Sequence, residues 1–138
     1  MLKHALGAAV AGLVLVSLLP AGAARAAGCS GSGCTGKDPG STGCRSSART
    51  IDRVTPAGGG PEVELQNSTG CSAAFARIQA ANSNWRFKIQ IRDGDSYLAN
   101  ASPDRQAYTA MVGNGNAYRA CVEQYDGAGG TWSCTGWH

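Results

Sequence analysis

From Trp85 to Arg92 the chain alternates without interruption: Trp85, Phe87, Ile89 and Ile91 are apolar, and Arg86, Lys88, Gln90 and Arg92 are polar. Successive side chains of a strand point to opposite faces, so this run predicts a strand with one core face and one wet face. A shorter run, Glu62 to Gln66, alternates in the same way, with Val63 and Leu65 on one side and the carboxylates on the other, and Gly58-Gly59-Gly60-Pro61 sets it off from what precedes it. Asp93-Gly94-Asp95 supplies a turn. Tyr108 to Val112 and Tyr118 to Tyr125 predict two further strands, joined across Gly113-Asn114-Gly115-Asn116, because Asn-Gly is a strong short-range hairpin signal. Residues 71–79 fit either a short helix or a strand carrying Phe75, and the surrounding strands favour a strand. Residues 29–44 show no apolar period and predict an irregular Cys/Gly-rich loop.

Beyond the N-terminus no segment sustains a helical apolar stripe, and turn signals recur at the spacing of antiparallel sheets. The expectation is an all-β fold: a small, disulfide-stapled antiparallel sandwich or barrel forming one domain over residues 27–138. Residues 1–26 have a different pattern. A positive patch (Lys3, His4), an apolar run from Ala5 to Leu19 and the small-residue stretch around Ala24 and Ala26 have the order of a secretory signal peptide. The apolar run is shorter than the roughly 20 residues that span a bilayer, so no membrane span is expected after processing at Ala26. Ala26-Ala27-Gly28-Cys29 faintly resembles a lipobox, which makes a lipid anchor at Cys29 the alternative; Arg25 and the absence of a leucine weigh against it.

Composition sharpens this picture. In residues 27–138 Leu, Ile, Val and Phe make up 12 of 112 residues, well below the roughly 20% at which a packed core becomes doubtful. Cross-links must therefore help. All six cysteines (Cys29, Cys34, Cys44, Cys71, Cys121, Cys134) lie beyond the signal peptide, in an oxidising compartment where three disulfides are the expected state. Cys121 and Cys134 flank Asp126 to Gly130, a segment suited to chain reversal, and are expected to pair; Cys29, Cys34, Cys44 and Cys71 leave three pairings open. Each bridge is worth about 2–4 kcal/mol. No Cys-x-x-Cys pair is present, and His138 at the chain end is the sole histidine past the leader, so neither a zinc site nor any other metal or cofactor is expected.

Charge bears on partners. Without Lys3 and Arg25 the 12 basic residues fall to 10 against 9 acidic ones, a net +1 that gives no general electrostatic reason to bind nucleic acid. Catalytic patterns are weak as well. Gly31 to Lys37 imitates a phosphate loop but continues into Asp38 rather than a hydroxyl residue. A serine triad would depend on His138, at the least constrained end of the chain. Glu62 and Glu64 share a strand face, with a solvated face as the plainer meaning. Asp93 and Asp95 alternate as in a calcium loop but lack the later glutamate. No catalytic residue is therefore assigned. The features suited to a ligand are the cationic face of the best strand, Arg86, Lys88 and Arg92, which would attract an anionic polymer such as teichoic acid, and the aromatic pair Trp132 and Trp137 around Cys134.

The run Cys29 to Pro39, with Thr42-Gly43-Cys44 and Ala48-Arg49-Thr50, resembles the YjfA-like domain of unknown function of secreted actinomycete and bacillus proteins. Val63-Glu64-Leu65, Ser68, Cys71 and Phe75-Ala76-Arg77-Ile78 are similar to the Val-Glu-Leu-Arg-Tyr-Ser and Cys-x3-Trp-Ala-Arg stretches of that domain, with Gln66-Asn67 replacing its usual Arg-Tyr and Phe75 its usual Trp. Cys121 and Cys134 are similar to its C-terminal cysteine pair. The resemblance implies export, disulfides and a mostly β domain, and supplies no catalytic residues. In some relatives a similar domain follows a helix-turn-helix and a membrane segment, which implies extracytoplasmic sensing or interaction. The functional expectation is a secreted, non-enzymatic binding module for a protein or cell-envelope polymer, with a small cell-wall hydrolase or a proteinase inhibitor as alternatives.

Overall fold

The computed structural model describes residues 28–79, 82, 84–103, 105–125 and 129–138. The leader expected over residues 1–26 lies outside them. Among the described residues nine strands form two antiparallel sheets packed as a sandwich: β1 (Ala48–Val54), β2 (Val63–Ser68), β3 (Ala73–Ile78), β4 (Trp85–Ile91), β5 (Ser96–Asn100), β6 (Ala107–Tyr108), β7 (Val112–Gly113), β8 (Tyr118–Gln124) and β9 (Ser133–Cys134). The first sheet has the order β1-β2-β3-β6, with β7 also on β3, and the second has the order β5-β4-β8-β9. No α-helix occurs among the described residues, and no helix there is long and apolar enough to cross a membrane.

The alternation that predicts β4 places Phe87 and Ile89, both fully buried, between the sheets. They meet Ala120 and Val122 of β8 and, from the first sheet, Val63, Leu65, Ala74, Ala76 and Ile78. β3 has lost its period because both of its faces are covered: Ala74, Ala76 and Ile78 face the second sheet, while Ala73 and Phe75 pack with Cys34, Cys44, Cys71 and Met111. Double burial explains why residues 71–79 fit helix and strand equally well from sequence.

The N-terminal loop is what covers the outer face of β3. Cys29 is bonded to Cys34 and Cys44 to Cys71. Two 3₁₀ turns, Gly31–Cys34 and Cys44–Ser47, shape the loop, and backbone bonds dock it: the Gly31 N–H donates to the Cys71 carbonyl (2.8 Å) and the Gly36 N–H to the Met111 carbonyl (2.9 Å). Ser68, fully buried, donates to the Cys44 carbonyl at 2.7 Å, so the loop seals a polar group without leaving it unpaired.

One expectation fails here for an identifiable reason. The hairpin across Gly113-Asn114-Gly115-Asn116 does not form: β7 pairs with β3, and β8 pairs with β4 and β9. A type I′ turn needs positive φ at both central residues, and neither Asn114 nor Gly115 has it. Gly113 is instead held at a close approach, where an added Cβ would lie 2.8 Å from the Gly31 backbone, and residues 114–117 carry the chain from one sheet to the other. Cys29, where the lipid-anchored alternative would attach, is bonded to Cys34.

Candidate functional site

β4 and β8 pair so that Arg86 stands opposite Glu123, Lys88 opposite Cys121 and Gln90 opposite Arg119, all on the solvent face of the second sheet. The C-terminal segment runs along β8 and lays its aromatic residues over this row. It is anchored by the Cys121–Cys134 bridge, by the Thr135 N–H donating to the Ala120 carbonyl (2.9 Å), and by reciprocal backbone bonds between Tyr118 and His138 (2.9 and 3.1 Å). Asp126, expected to open the reversal between the two cysteines, lies with residues 127 and 128 outside the described residues.

The result is a sequence of cation–aromatic contacts on one surface. The Arg86 guanidinium lies 3.7 Å from the Tyr125 ring centroid and the Lys88 ammonium 4.2 Å from that of Trp132. Arg92 and Arg119 converge on Trp137, at 5.0 and 4.4 Å. A cation over an aromatic face is attracted by the ring quadrupole. Leu98, opposite Lys88 on β5, extends the surface with an apolar group that is 55% exposed.

Charge on this face is unbalanced. Glu123 is only 2% exposed and is already taken: it accepts from Arg86 Nε (2.9 Å) and Nη2, and from the Gly130 N–H (3.2 Å). Arg119 donates to the neutral Gln90 Oε1 at 3.0 Å, and neither Arg92 nor Arg119 has a carboxylate within ion-pair distance among the described residues. Lys88 shows the crowding directly, since burial and then the nearby Arg119 charge hold its ammonium below the ordinary lysine range. Two guanidiniums thus share one indole with no carboxylate partner among the described residues.

The five residues singled out as a ligand surface (Arg86, Lys88, Arg92, Trp132 and Trp137) thus lie together. Arg119 and Tyr125 join them without having been singled out. Arg119 lies on β8 and Tyr125 just past its end, and the pairing of β8 with β4, rather than with Tyr108 to Val112, brings them to this face.

The candidate catalytic groups are arranged differently. Glu62 is paired with Arg53 (3.1 Å), and Glu64 lies in a network with Arg77, Thr50 and Gln66, so these carboxylates form ion pairs rather than a free solvated face. Asp93 occupies the tight turn between β4 and β5 at φ 58°. His138 is better constrained than a chain end suggests: besides its backbone bonds, its Nε2 contacts Asp52 Oδ2 at 2.7 Å, and that hydrogen bond is the main cause lowering the Asp52 pKa from its ordinary 3.8. The sulfurs of Cys29, Cys34, Cys44 and Cys71 lie within 4.8 Å of one another, but each is spent in a bridge and offers no thiolate to a metal. The 29–44 loop, the basis of the inhibitor alternative, lies folded onto β3, with Cys34 and Cys44 fully buried.

The chain belongs to the family described as Protein of unknown function (DUF2690), which matches residues 32–121. The matched stretch holds Arg86, Lys88, Arg92 and Arg119 and ends before Trp132 and Trp137. No curated protein and no solved structure matches the chain.

Proposed function

We propose that this member of the DUF2690 family is an extracellular, non-enzymatic binding module that holds an anionic polymer of the cell envelope on the solvent face of its second sheet. The observation that carries the reading is the convergence of Arg92 and Arg119 on Trp137 without a carboxylate partner among the described residues. Around it lie Lys88 on Trp132 and Arg86 on Tyr125, so that among the described residues this row of four cations has one ion-paired carboxylate, Glu123. A polyol phosphate chain such as teichoic acid offers repeated negative charges for the guanidinium edges and alkyl or sugar segments for the ring faces. Three bridges in a chain poor in aliphatic residues, together with the leader-like residues 1–26, support an exported, oxidised setting. The YjfA-like resemblance agrees with that setting.

A protein partner is the second reading, favoured by exposed Leu98 beside the cationic row. Co-sedimentation of the purified oxidised domain with isolated cell walls separates the two. Walls carrying their anionic polymers should pellet the domain, and walls stripped of them should not. Binding should vanish at about 0.5 M salt, where the screening length falls to about 4 Å. Equal pelleting by stripped walls would overturn the polymer reading in favour of a protein or neutral glycan.

A further inference from the structure

The first sheet carries a separate cavity on its own solvent side, next to the disulfide-bonded loop and on the opposite side of the sandwich from the cation–aromatic face. Its volume is about 430 Å³, within the range of small-ligand sites. Phe75 and Tyr108 give it an apolar floor and wall, their rings 5.9 Å apart and tilted, and Arg45, Arg77 and Gln66 complete the lining.

Arg45 is the distinctive group. Its guanidinium lies 4.6 Å from the Tyr108 ring centroid and rests on the other side against the bare Cα of Gly40, where an added Cβ would come within 2.9 Å of Nη2. Among the described residues no carboxylate lies within ion-pair distance of it; Asp38 Oδ2 borders the same space, 2.9 Å from that Cβ position, and accepts from the Ser41 N–H at 2.8 Å. Arg77 is engaged with Glu64 through Nε (2.8 Å) and Nη2, and Gln66 spends its amide donors on Glu64 (3.0 Å) and Thr50. The cavity guanidinium without an ion-pair partner among the described residues is therefore that of Arg45, held between a ring and a glycine.

We propose that this cavity binds a monocarboxylate bearing a small apolar group, with Arg45 taking the carboxylate and Phe75 and Tyr108 the apolar part. Charge bears on the ligand: at the cavity Arg45 and Arg77 stand with Glu64 and Asp38, so cations and carboxylates are balanced. A monoanion disturbs that balance less than a phosphate dianion does. A planar guanidinium also matches a carboxylate through two parallel hydrogen bonds. The carboxylate has two possible sources, a free short-chain acid or the C-terminal residue of a peptide, and both present the same chemistry to Arg45.

The oxidised chain labelled with ¹⁵N is titrated with isovalerate, with N-acetyl-alanyl-leucine, with the C-terminal amide of that dipeptide and with inorganic phosphate, following the backbone signals of Ala48, Phe75 and Tyr108. Saturable shifts with either carboxylate are expected; shifts with both assign any apolar acid, and shifts with the dipeptide alone assign a peptide terminus. The amide should bind at least about tenfold more weakly, since it loses the charge-assisted pair. Arg45→Gln, an exposed position whose replacement leaves the core intact, should lose binding to the same degree, and Gly40→Ala should weaken it by displacing the guanidinium. Equal binding of acid and amide, phosphate binding tighter than either acid, full affinity in Arg45→Gln, or no shifts from any of these probes would overturn the proposal. Replacing Arg92 and Arg119 by Gln leaves this cavity untouched, so the two sites fail independently.

Discussion

Removing the Cys44–Cys71 bridge should cost more stability than removing either of the others. The chain-entropy model makes the contribution of a bridge grow with the loop it closes. Sequence separations of 27 for Cys44–Cys71, 13 for Cys121–Cys134 and 5 for Cys29–Cys34 correspond to about 3.5, 3 and 2 kcal/mol at 25 °C. Packing widens the gap. Cys44 and Cys71 are fully buried beside Phe75 and Met111, so a double alanine variant also loses sulfur contacts, for roughly 1 kcal/mol more. Cys29 is partly exposed, and its loss frees only a short turn. The assay is equilibrium urea unfolding of three double alanine variants, with the m-value checked for constancy. The expected order of loss is Cys44/Cys71, then Cys121/Cys134, then Cys29/Cys34. An equal or larger loss for the Cys29/Cys34 variant would refute both the loop-length reasoning and the description of the N-terminal loop as a cover for β3.

Three further outcomes follow from particular contacts. Phe87→Ala, which empties a fully buried position between the sheets, should cost about 3–5 kcal/mol in the same unfolding assay. Gly113→Ala forces a Cβ to within 2.8 Å of the Gly31 backbone and should speed hydrogen exchange at the Gly31 and Gly36 amides without a comparable change in β4. His138→Ala should raise the Asp52 pKa toward 3.8, since the His138 hydrogen bond is the main cause of its lowering, and carboxyl NMR titration reads this directly. Because the folded-state value lies below the unfolded one, the stabilisation is present above about pH 4 and lost as pH falls through the lowered folded value. The stability gap between wild type and His138→Ala should therefore close in acid, and a gap independent of pH would count against the clasp.

How much of this was legible in the sequence depended on how many faces each segment buries. β4 has one dry and one wet face, so its alternation is complete and its partners Phe87 and Ile89 are obvious core residues. β2 shows the same pattern from Val63 to Leu65. β3 hides its period because the disulfide-bonded loop covers its outer face, a long-range fact that local pattern cannot carry. β5 escaped notice because its outward residues, Ser96, Leu98 and Asn100, are exposed and its inward ones, Tyr97 and Ala99, only partly buried. The Asn-Gly signal at 114–115 was overridden by the docking of Gly113 against the N-terminal loop. The candidate ligand surface was half legible: the period of β4 puts Arg86 and Lys88 on one side, but the approach of Trp132 and Trp137 depends on the Cys121–Cys134 bridge and the anchored C-terminus.

The central claim, that an anionic polymer lies on the cation–aromatic face, is tested most directly by titrating the oxidised domain with poly(glycerol phosphate) and following tryptophan fluorescence. Trp132 and Trp137 are part of that face, whereas Trp85 is 8% exposed within the core, so bound polymer should produce a saturable change from the two surface indoles. The change should weaken steeply with salt, as binding to a row of partly exposed charges requires. In an Arg92→Gln/Arg119→Gln variant of unaltered stability, affinity should fall by at least about tenfold, the loss of two charge-assisted contacts. No fluorescence change at low salt, or an affinity that the double variant leaves intact, would contradict the assignment.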